Sequence, residues 1–400
     1  MVKVIIASNN TYQEYEGNFY FAVGHGFERI VSLKQYFKKV ILVGRRIKGT
    51  NFDVRATLAN CGKADFCLYE SENITFSFLL HRKYIRSVLQ EAVARCDCAI
   101  LYSSFLFAPM LVALLREAGK PYLVIVTRCP WDLNLNRGRC RKLVAPYMWF
   151  RDWKLIWNAS HVIYVTSAFL QKRYPTKGTW VAISNVVLRS SGALALRERI
   201  DSINVMRGFL VIGTAATLAR HKGQQYVIKA LAMLKKQGIT TFKYQLVGPG
   251  DQSYLRHVAM KCGVVDQVEF LGGLPHADLF DWLDTIDIYA QPSRMEGLPR
   301  ALIEAMSRGL PAIGARTGGI PELLDPSFVH GNSYREVNEI VNLLMRMQST
   351  QTREEQARRN LEEAKKYDVD LLDRRRRGFI ERFMNETGSS NALDYTETLM

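Results

Sequence analysis

The chain has 400 residues, enough by length for two or more domains, and 48% of them are apolar, so sizeable buried cores are expected. Lys and Arg number 54 against 38 Asp and Glu. The excess falls in the first half: residues 1–200 hold 29 basic and 13 acidic side chains, residues 201–400 hold 25 of each. Such a surface suits an anionic lipid, a nucleic acid or a phosphorylated substrate and says nothing of the fold. The seven cysteines include no zinc-type Cys-x-x-Cys pair, and Cys96 and Cys98 are too close for an ordinary bridge, so reduced thiols in a cytoplasmic protein are expected. The uncharged run from Ala99 to Leu115, interrupted by Ser103, Ser104 and Pro109, is too short and broken for a membrane-spanning helix.

In chain order, strands are predicted at "VKVIIAS" directly after Met1, which argues against a signal peptide, and at "KVILVG", "CAILYSS", "PYLVIVT" and "SHVIYVTS". Helices are predicted near Phe27–Phe37, Tyr84–Arg95 and Pro109–Ala118. The same alternation restarts beyond a polar stretch. "FLVIGTA", a helix over Gln224–Lys236, "FKYQLVG", a helix over Ser253–Lys261, "VEFLG", "IDIYAQPS", a helix after Pro299 and "PAIGA" follow one another. Continuous apolar strands alternating with helices imply parallel sheets covered on both faces. The predicted organisation is α/β: a Rossmann-like domain over 1–190, a linker over 191–207 and a second such domain over 208–350. Charged helices over 351–385 and a disordered tail over 386–400 complete the chain. Two doubly wound domains put a ligand cleft between their strand ends. "RRRR" (Arg374–Arg377) reads as a solvated helix face in preference to an anionic docking patch.

Most of the chemistry is concentrated in "SRMEGLPRALIEAMSRGLP" (Ser293–Pro311). Pro299 suits a first helical turn, whose free N–H groups form an anion site. Glu304 lies five residues further on, about 7–8 Å along the axis. A diphosphate at the helix start would leave its ribose near Glu304, and Glu296, on the entry loop, would face the sugar at the other end. The alternative is plainer: Arg300, Glu304 and Arg308 are spaced for surface ion pairs, and Glu296 for a favourable helix-dipole interaction. "GTAATLARHKGQQYVIKAL" (Gly213–Leu231) adds a strand, a basic loop with Arg220 and Lys222, and a helix, a suitable setting for a diphosphate. "LVGPGD" adds a glycine turn with Gly248 and Gly250 at the next strand end. No Gly-x-Gly-x-x-Gly or P-loop pattern is present.

These segments, together with Pro292-Ser293, the Gly-Leu-Pro after Arg308 and Gly318-Gly319 before Glu322, make Gly213–Leu324 resemble the retaining glycosyltransferases of family 4. The resemblance implies a GT-B fold, with two Rossmann-like domains facing across a cleft. It also implies transfer of a sugar from a nucleoside diphosphate-sugar to a saccharide or lipid-linked acceptor, without a metal or other cofactor. Carried over by the resemblance, Glu296 would hold donor-sugar hydroxyls, Glu304 the ribose diol and Lys222 the diphosphate. The backbone of Gly297 and Leu298 would contact sugar and phosphate, and the Phe270–Leu274 loop would border the base. The family's arginine five positions before the lysine is here Thr217, so Arg220 is the candidate replacement. On the acceptor side the candidates are Arg128 and Asp132 in "TRCPWD", together with His25 in the glycine-rich loop after the first strand. A sugar-nucleotide epimerase and a non-catalytic nucleotide-sugar-binding protein are the alternatives within the same fold.

"RGRCRKLVAPYMWFRDWKLIWNAS" (Arg137–Ser160) mixes cations with Trp149, Trp153 and Trp157 on one helical face. Basic residues beside a Trp stripe fit a membrane interface; packing of the stripe on the N-terminal sheet fits equally. The expected location is cytoplasmic, with peripheral binding to the inner face of a membrane. Nucleic acid is not an expected partner, because no reading helix, zinc module or RNP aromatics are present.

Overall fold

The computed structural model describes residues 2–21, 33, 36–37, 39–48, 57–59, 64–70, 81–135, 139–189, 192–205, 208–332 and 335–387. His25, most of the helix predicted over Phe27–Phe37 and residues 388–400 of the predicted tail lie outside them.

Among the described residues the N-terminal domain forms a nine-stranded sheet. Strands β1 (Lys3–Tyr15), β3 (Lys39–Lys48), β5 (Ala64–Glu70), β6 (Cys98–Tyr102), β7 (Tyr122–Val126), β8 (His161–Tyr164) and β9 (Thr179–Ala182) run parallel in the order β5-β3-β1-β6-β7-β8-β9. Strand β2 (Asn18–Phe21) pairs antiparallel with the far end of β1, and β4 (Thr57–Leu58) with β2. Strands β6, β7 and β8 are buried at every position, which is why their sequences are apolar throughout except for His161 at the start of β8. Helices α1 (Arg82–Arg95), α2 (Ala108–Glu117), α3 (Pro130–Leu135), α4 (Arg139–Trp157) and α5 (Phe169–Arg173) connect them.

Helix α6 (Ala193–Asn204) occupies the stretch predicted as a linker. It belongs to the C-terminal half: buried Arg199 donates to the carbonyl oxygens of Leu283 (3.0 Å), Ile286 (2.8 Å) and Arg308 (3.1 Å). Beyond it, β10 (Leu210–Ala215), β11 (Phe242–Val247), β12 (Val268–Gly272), β13 (Ile288–Gln291), β14 (Ala312–Ala315) and β15 (Val329–His330) form an all-parallel sheet in the order β12-β11-β10-β13-β14-β15. Helices α7 (Gln224–Lys236), α8 (Ser253–Cys262), α9 (His276–Thr285), α10 (Arg300–Ser307), α11 (Ile320–Leu323), α12 (Glu336–Arg346) and α13 (Thr350–Ala364) complete this half.

The last helix, α14 (Val369–Glu386), crosses back to the N-terminal domain. Val369 N–H donates to Leu188 O (2.7 Å) and buried Arg376 to Ser184 O (3.0 Å). Phe379 and Phe383 pack edge-on against the buried His161 ring, and Glu386 lies 3.1 Å from that ring's Nε2. Within the "RRRR" run, Arg376 is therefore part of the core contact, while Arg374, Arg375 and Arg377 are exposed.

Helix α4 turns its tryptophans inward. Trp149 and Trp153 pack against the N-terminal core, and the three rings stack in series, with 6.5 Å between the first two centroids and 5.2 Å between the next two. A different strip, Leu143, Val144, Tyr147 and Phe150, is exposed. On the inner face Asp152 is fully buried and its Oδ1 lies 2.5 Å from Arg151 Nη2. Burial outweighs the attraction of Arg151 and Arg128 and pushes the carboxyl pKa up to about 6. A folded-state pKa above the unfolded 3.8 means that the folded state holds the proton more tightly. The stability this proton contributes is full below about pH 4 and is lost as pH rises to about 6. Urea unfolding of Asp152→Asn across this range should lack that decline; relative to the variant, the wild-type protein loses about 3 kcal/mol between pH 4 and 7.

Candidate active site

Each sheet reverses its strand order once, between β1 and β6 in the first half and between β10 and β13 in the second. The two switch points face each other across a cavity of about 670 Å³. Ser8, Asn9 and Asn10 line it from β1, Tyr102 and Ser104 from the end of β6, and Thr127 and Arg128 from the loop after β7. The opposite wall carries Ala215–Thr217, Lys222, Val247–Pro249, Gly273, Leu274, His276, Gln291 and the Met295–Ala301 segment with Glu304.

The Lys222 turn and the Glu296 loop are locked together. Lys222 sits in a 3₁₀ turn (Arg220–Lys222), and its Nζ donates to Glu296 Oε1 at 2.6 Å. Buried Gln291, at the carboxyl end of β13, donates from Nε2 to Ser293 Oγ (2.9 Å) and to Glu296 Oε1 (3.2 Å), while Tyr289 OH donates to Gln291 Oε1 (3.2 Å). Arg294 N–H donates to His221 O at 2.8 Å. Between the two segments, Gly223 adopts φ 76, and a Cβ there would lie 1.8 Å from Pro292 O. Only glycine permits both the left-handed backbone and that approach.

Helix α10 begins after Pro299, which is its N-cap residue, and no side chain caps its first amides. That corrects the expected placement of proline inside the first turn by one position. Arg300 opens the helix and lines the cavity. Glu304 is nearly buried, and its Oε1 lies 3.3 Å from His276 Nε2. Arg308 pairs with Asp284. The surface ion-pair alternative for the Arg300–Glu304–Arg308 row therefore does not describe the structure: Glu304 faces the cavity and takes its partner from α9.

Among the predicted site residues, Glu296, Lys222, Glu304, Gly297, Leu298, Gly248, Leu274 and Arg128 come together in one cavity lining. Arg220 does not join them; its guanidinium stacks 4.1 Å over the Tyr254 ring. Gly250 is spent on a turn, where a Cβ would meet Leu218 O at 2.9 Å. Asp132 lies off the lining with Arg173 at 3.7 Å. Sequence reasoning passed over the lining residues Asn9, Asn10 and Asn185, took Arg300 only as a surface ion-pair partner and gave His276 no site role. Asn9 also ties β1 to the loop after β6, because its Oδ1 accepts from Leu106 N at 3.0 Å and its Nδ2 donates to Ser104 O. Among the described residues no helix is long and apolar enough to cross a membrane, and no group of three or more His, Cys, Asp or Glu side chains is arranged to hold a metal ion.

Two Rossmann-like sheets meeting at their switch points over one cleft make this a GT-B fold. Sucrose-phosphate synthase from Thermosynechococcus elongatus superimposes with a TM-score of 0.71 at 14% identity, over 96% of this chain and 100% of that one. HepE of Anabaena, solved in complex with UDP-glucose, gives 0.64 at 17% identity, over 97% and 100%. Residues 198–366 match the family described as Glycosyl transferases group 1. Protein CapJ of Staphylococcus aureus is 24% identical over 364 residues, 90% of each chain. The amylovoran biosynthesis glycosyltransferase AmsK of Erwinia amylovora is 37% identical over 123 residues, 29% of this chain and 30% of that one. Together these likenesses support a glycosyltransferase of GT-B fold.

Substituting Gly223 by alanine should force the Lys222 turn away from Pro292 and destabilise the protein by about 2 kcal/mol or more. Gly238→Ala is the matched control, with the same backbone conformation (φ 79) and nothing within 4 Å of the added carbon. It should cost only the left-handed strain, about 1 kcal/mol. Urea denaturation of both variants separates the clash from the strain.

Proposed function

We propose that the protein transfers a sugar from a nucleoside diphosphate-sugar to a saccharide or lipid-linked saccharide, with retention of configuration and without a metal, in polysaccharide or glycoconjugate biosynthesis. The observation that carries this reading is the convergence of Lys222, Glu296 and Glu304 on the uncapped start of α10, inside a cleft with walls from both domains. Free amides and a cation at a helix start favour a diphosphate. Lys222 exchanges Glu296 for phosphate oxygens when donor binds, which frees the Glu296 carboxylate to accept from sugar hydroxyls. Glu304 accepts from the ribose diol, and Leu274 and Gly273 border the base. Thr217 stands where related enzymes carry a second cation, and Arg220 points to Tyr254; Arg300, at the first position of α10, is the side chain placed to supply that charge. Acceptor oxygen approaches from the Arg128 side, on the same face as the leaving phosphate, which takes its proton. AmsK, named for amylovoran biosynthesis, supports the polysaccharide setting.

A thermal-shift screen against UDP-, GDP- and ADP-sugars without added metal should find one stabilising class. Glu304→Ala should then weaken nucleotide affinity about 10- to 100-fold, the loss of a charge-assisted hydrogen-bond pair, whereas Glu296→Ala should chiefly lower kcat. Equal, wild-type behaviour of both variants refutes the assignment.

The same reading places the enzyme in the cytoplasm, at the inner face of a membrane that presents the acceptor. The exposed strip Leu143–Val144–Tyr147–Phe150 of α4, beside exposed Lys142, is the surface suited to anionic lipid. The full chain should float with phosphatidylglycerol vesicles at low salt, and Tyr147→Ser with Phe150→Ser should abolish flotation; no salt-sensitive binding by the wild-type protein disproves the docking.

A further inference from the structure

The segment after β14 touches the Glu296 loop and the N-terminal domain at once. On one side Gly319 N–H donates to Gly297 O at 2.6 Å. On the other, Glu322 in α11 reaches across the cleft to the start of α5. Its Oε2 accepts from Ser167 N (2.6 Å) and Ser167 Oγ (3.0 Å), and its Oε1 accepts from Ala168 N (3.2 Å) and Phe169 N (2.6 Å). Four donors use the full accepting capacity of the carboxylate. The N-cap residue of α5 is Ala168, which has no side chain to satisfy those amides. The turn leading into α5 and the helix's first amide are therefore held by a carboxylate more than 150 residues away, from the other domain, while Thr166 Oγ1 accepts locally from Leu170 N at 3.0 Å.

Close backbone packing accompanies this bond. A Cβ on Gly297 would lie 2.1 Å from Thr127 O, so the loop after Glu296 rests directly on the N-terminal domain beside Arg128. Opening the cleft would strip Glu322 of four charge-assisted hydrogen bonds and return the Ser167–Phe169 amides to water. It would also draw the Gly297 loop, through Gly319, away from the acceptor wall.

We propose that Glu322 is a positioning residue: its bonds to the Ser167–Phe169 amides latch the two domains at the separation where the Glu296 loop meets the Arg128 side of the cavity. It acts through that loop and touches neither nucleotide nor sugar. The catalytic consequence rests on the transferase reading above; the mechanical one does not.

The test uses the full chain with Glu322→Ala and the isosteric Glu322→Gln, which keeps one accepting oxygen and protects against simple misfolding. Small-angle scattering should show a larger maximum dimension for Glu322→Ala and a smaller increase for Glu322→Gln. Calorimetric Kd values for UDP and GDP should stay within about twofold of wild type, while kcat falls about 10- to 100-fold, as expected when reacting groups on two walls are misplaced without loss of donor contacts. Ser167→Ala combined with Glu322→Gln should cost less than the sum of the two single changes, because both break the same contact. Unchanged scattering in Glu322→Ala overturns the latch, as does a nucleotide affinity that falls in step with kcat. An expanded particle with no transferase activity in the wild-type protein would instead leave the latch standing and remove the proposed reaction.

Discussion

In a doubly wound parallel sheet the connections cross back over opposite faces on either side of the point where the strand order reverses, and an open crevice is left there at the carboxyl ends. This protein builds two such crevices and sets them mouth to mouth. Neither is a reaction vessel alone: the first brings asparagines, Tyr102 and Arg128, and the second brings the glutamates, Lys222 and a helix start. The cavity exists only because the two sheets are held at one spacing, and the glycine at position 297 and the carboxylate at 322 set that spacing.

Charge inside the cleft is arranged in pairs that a ligand can take over. Lys222 rests on Glu296 and His276 on Glu304, so each carboxylate has a partner within the cleft. Tyr289, Gln291 and Ser293 fix the Glu296 loop from beneath, which restricts what binding must reorganise to the exposed ends of two side chains.

The two doubly wound halves were legible because β6, β7, β8 and β13 are buried throughout, and short, largely apolar runs alternating with helical patterns fit strands of a sheet covered on both faces. Strand β5, "ADFCLYE", escaped notice because it is only partly buried and begins and ends near charges. Helix α6 was mistaken for a linker because its buried anchor is an arginine, whose guanidinium satisfies three carbonyl oxygens and so breaks the usual apolar stripe. In the site, Glu296, Glu304 and Lys222 were visible since each lies in a local strand–loop–helix pattern. Asn9, Asn185 and His276 were not: they converge from β1, the segment after β9 and the start of α9, and no spacing along the chain records that meeting.

The return of α14 to the N-terminal domain has an architectural consequence. Among the described residues the polypeptide crosses between the halves twice, so the N-terminal half is completed by α14, whose Phe379 and Phe383 close over His161. A chimera made by exchanging everything after one cut would pair that half with a foreign helix and leave its His161 surface poorly covered. Exchange of the C-terminal half calls for an inserted cassette with two graft points, one before α6 and one ahead of Val369, so that the closing helix stays with the half it was shaped to fit.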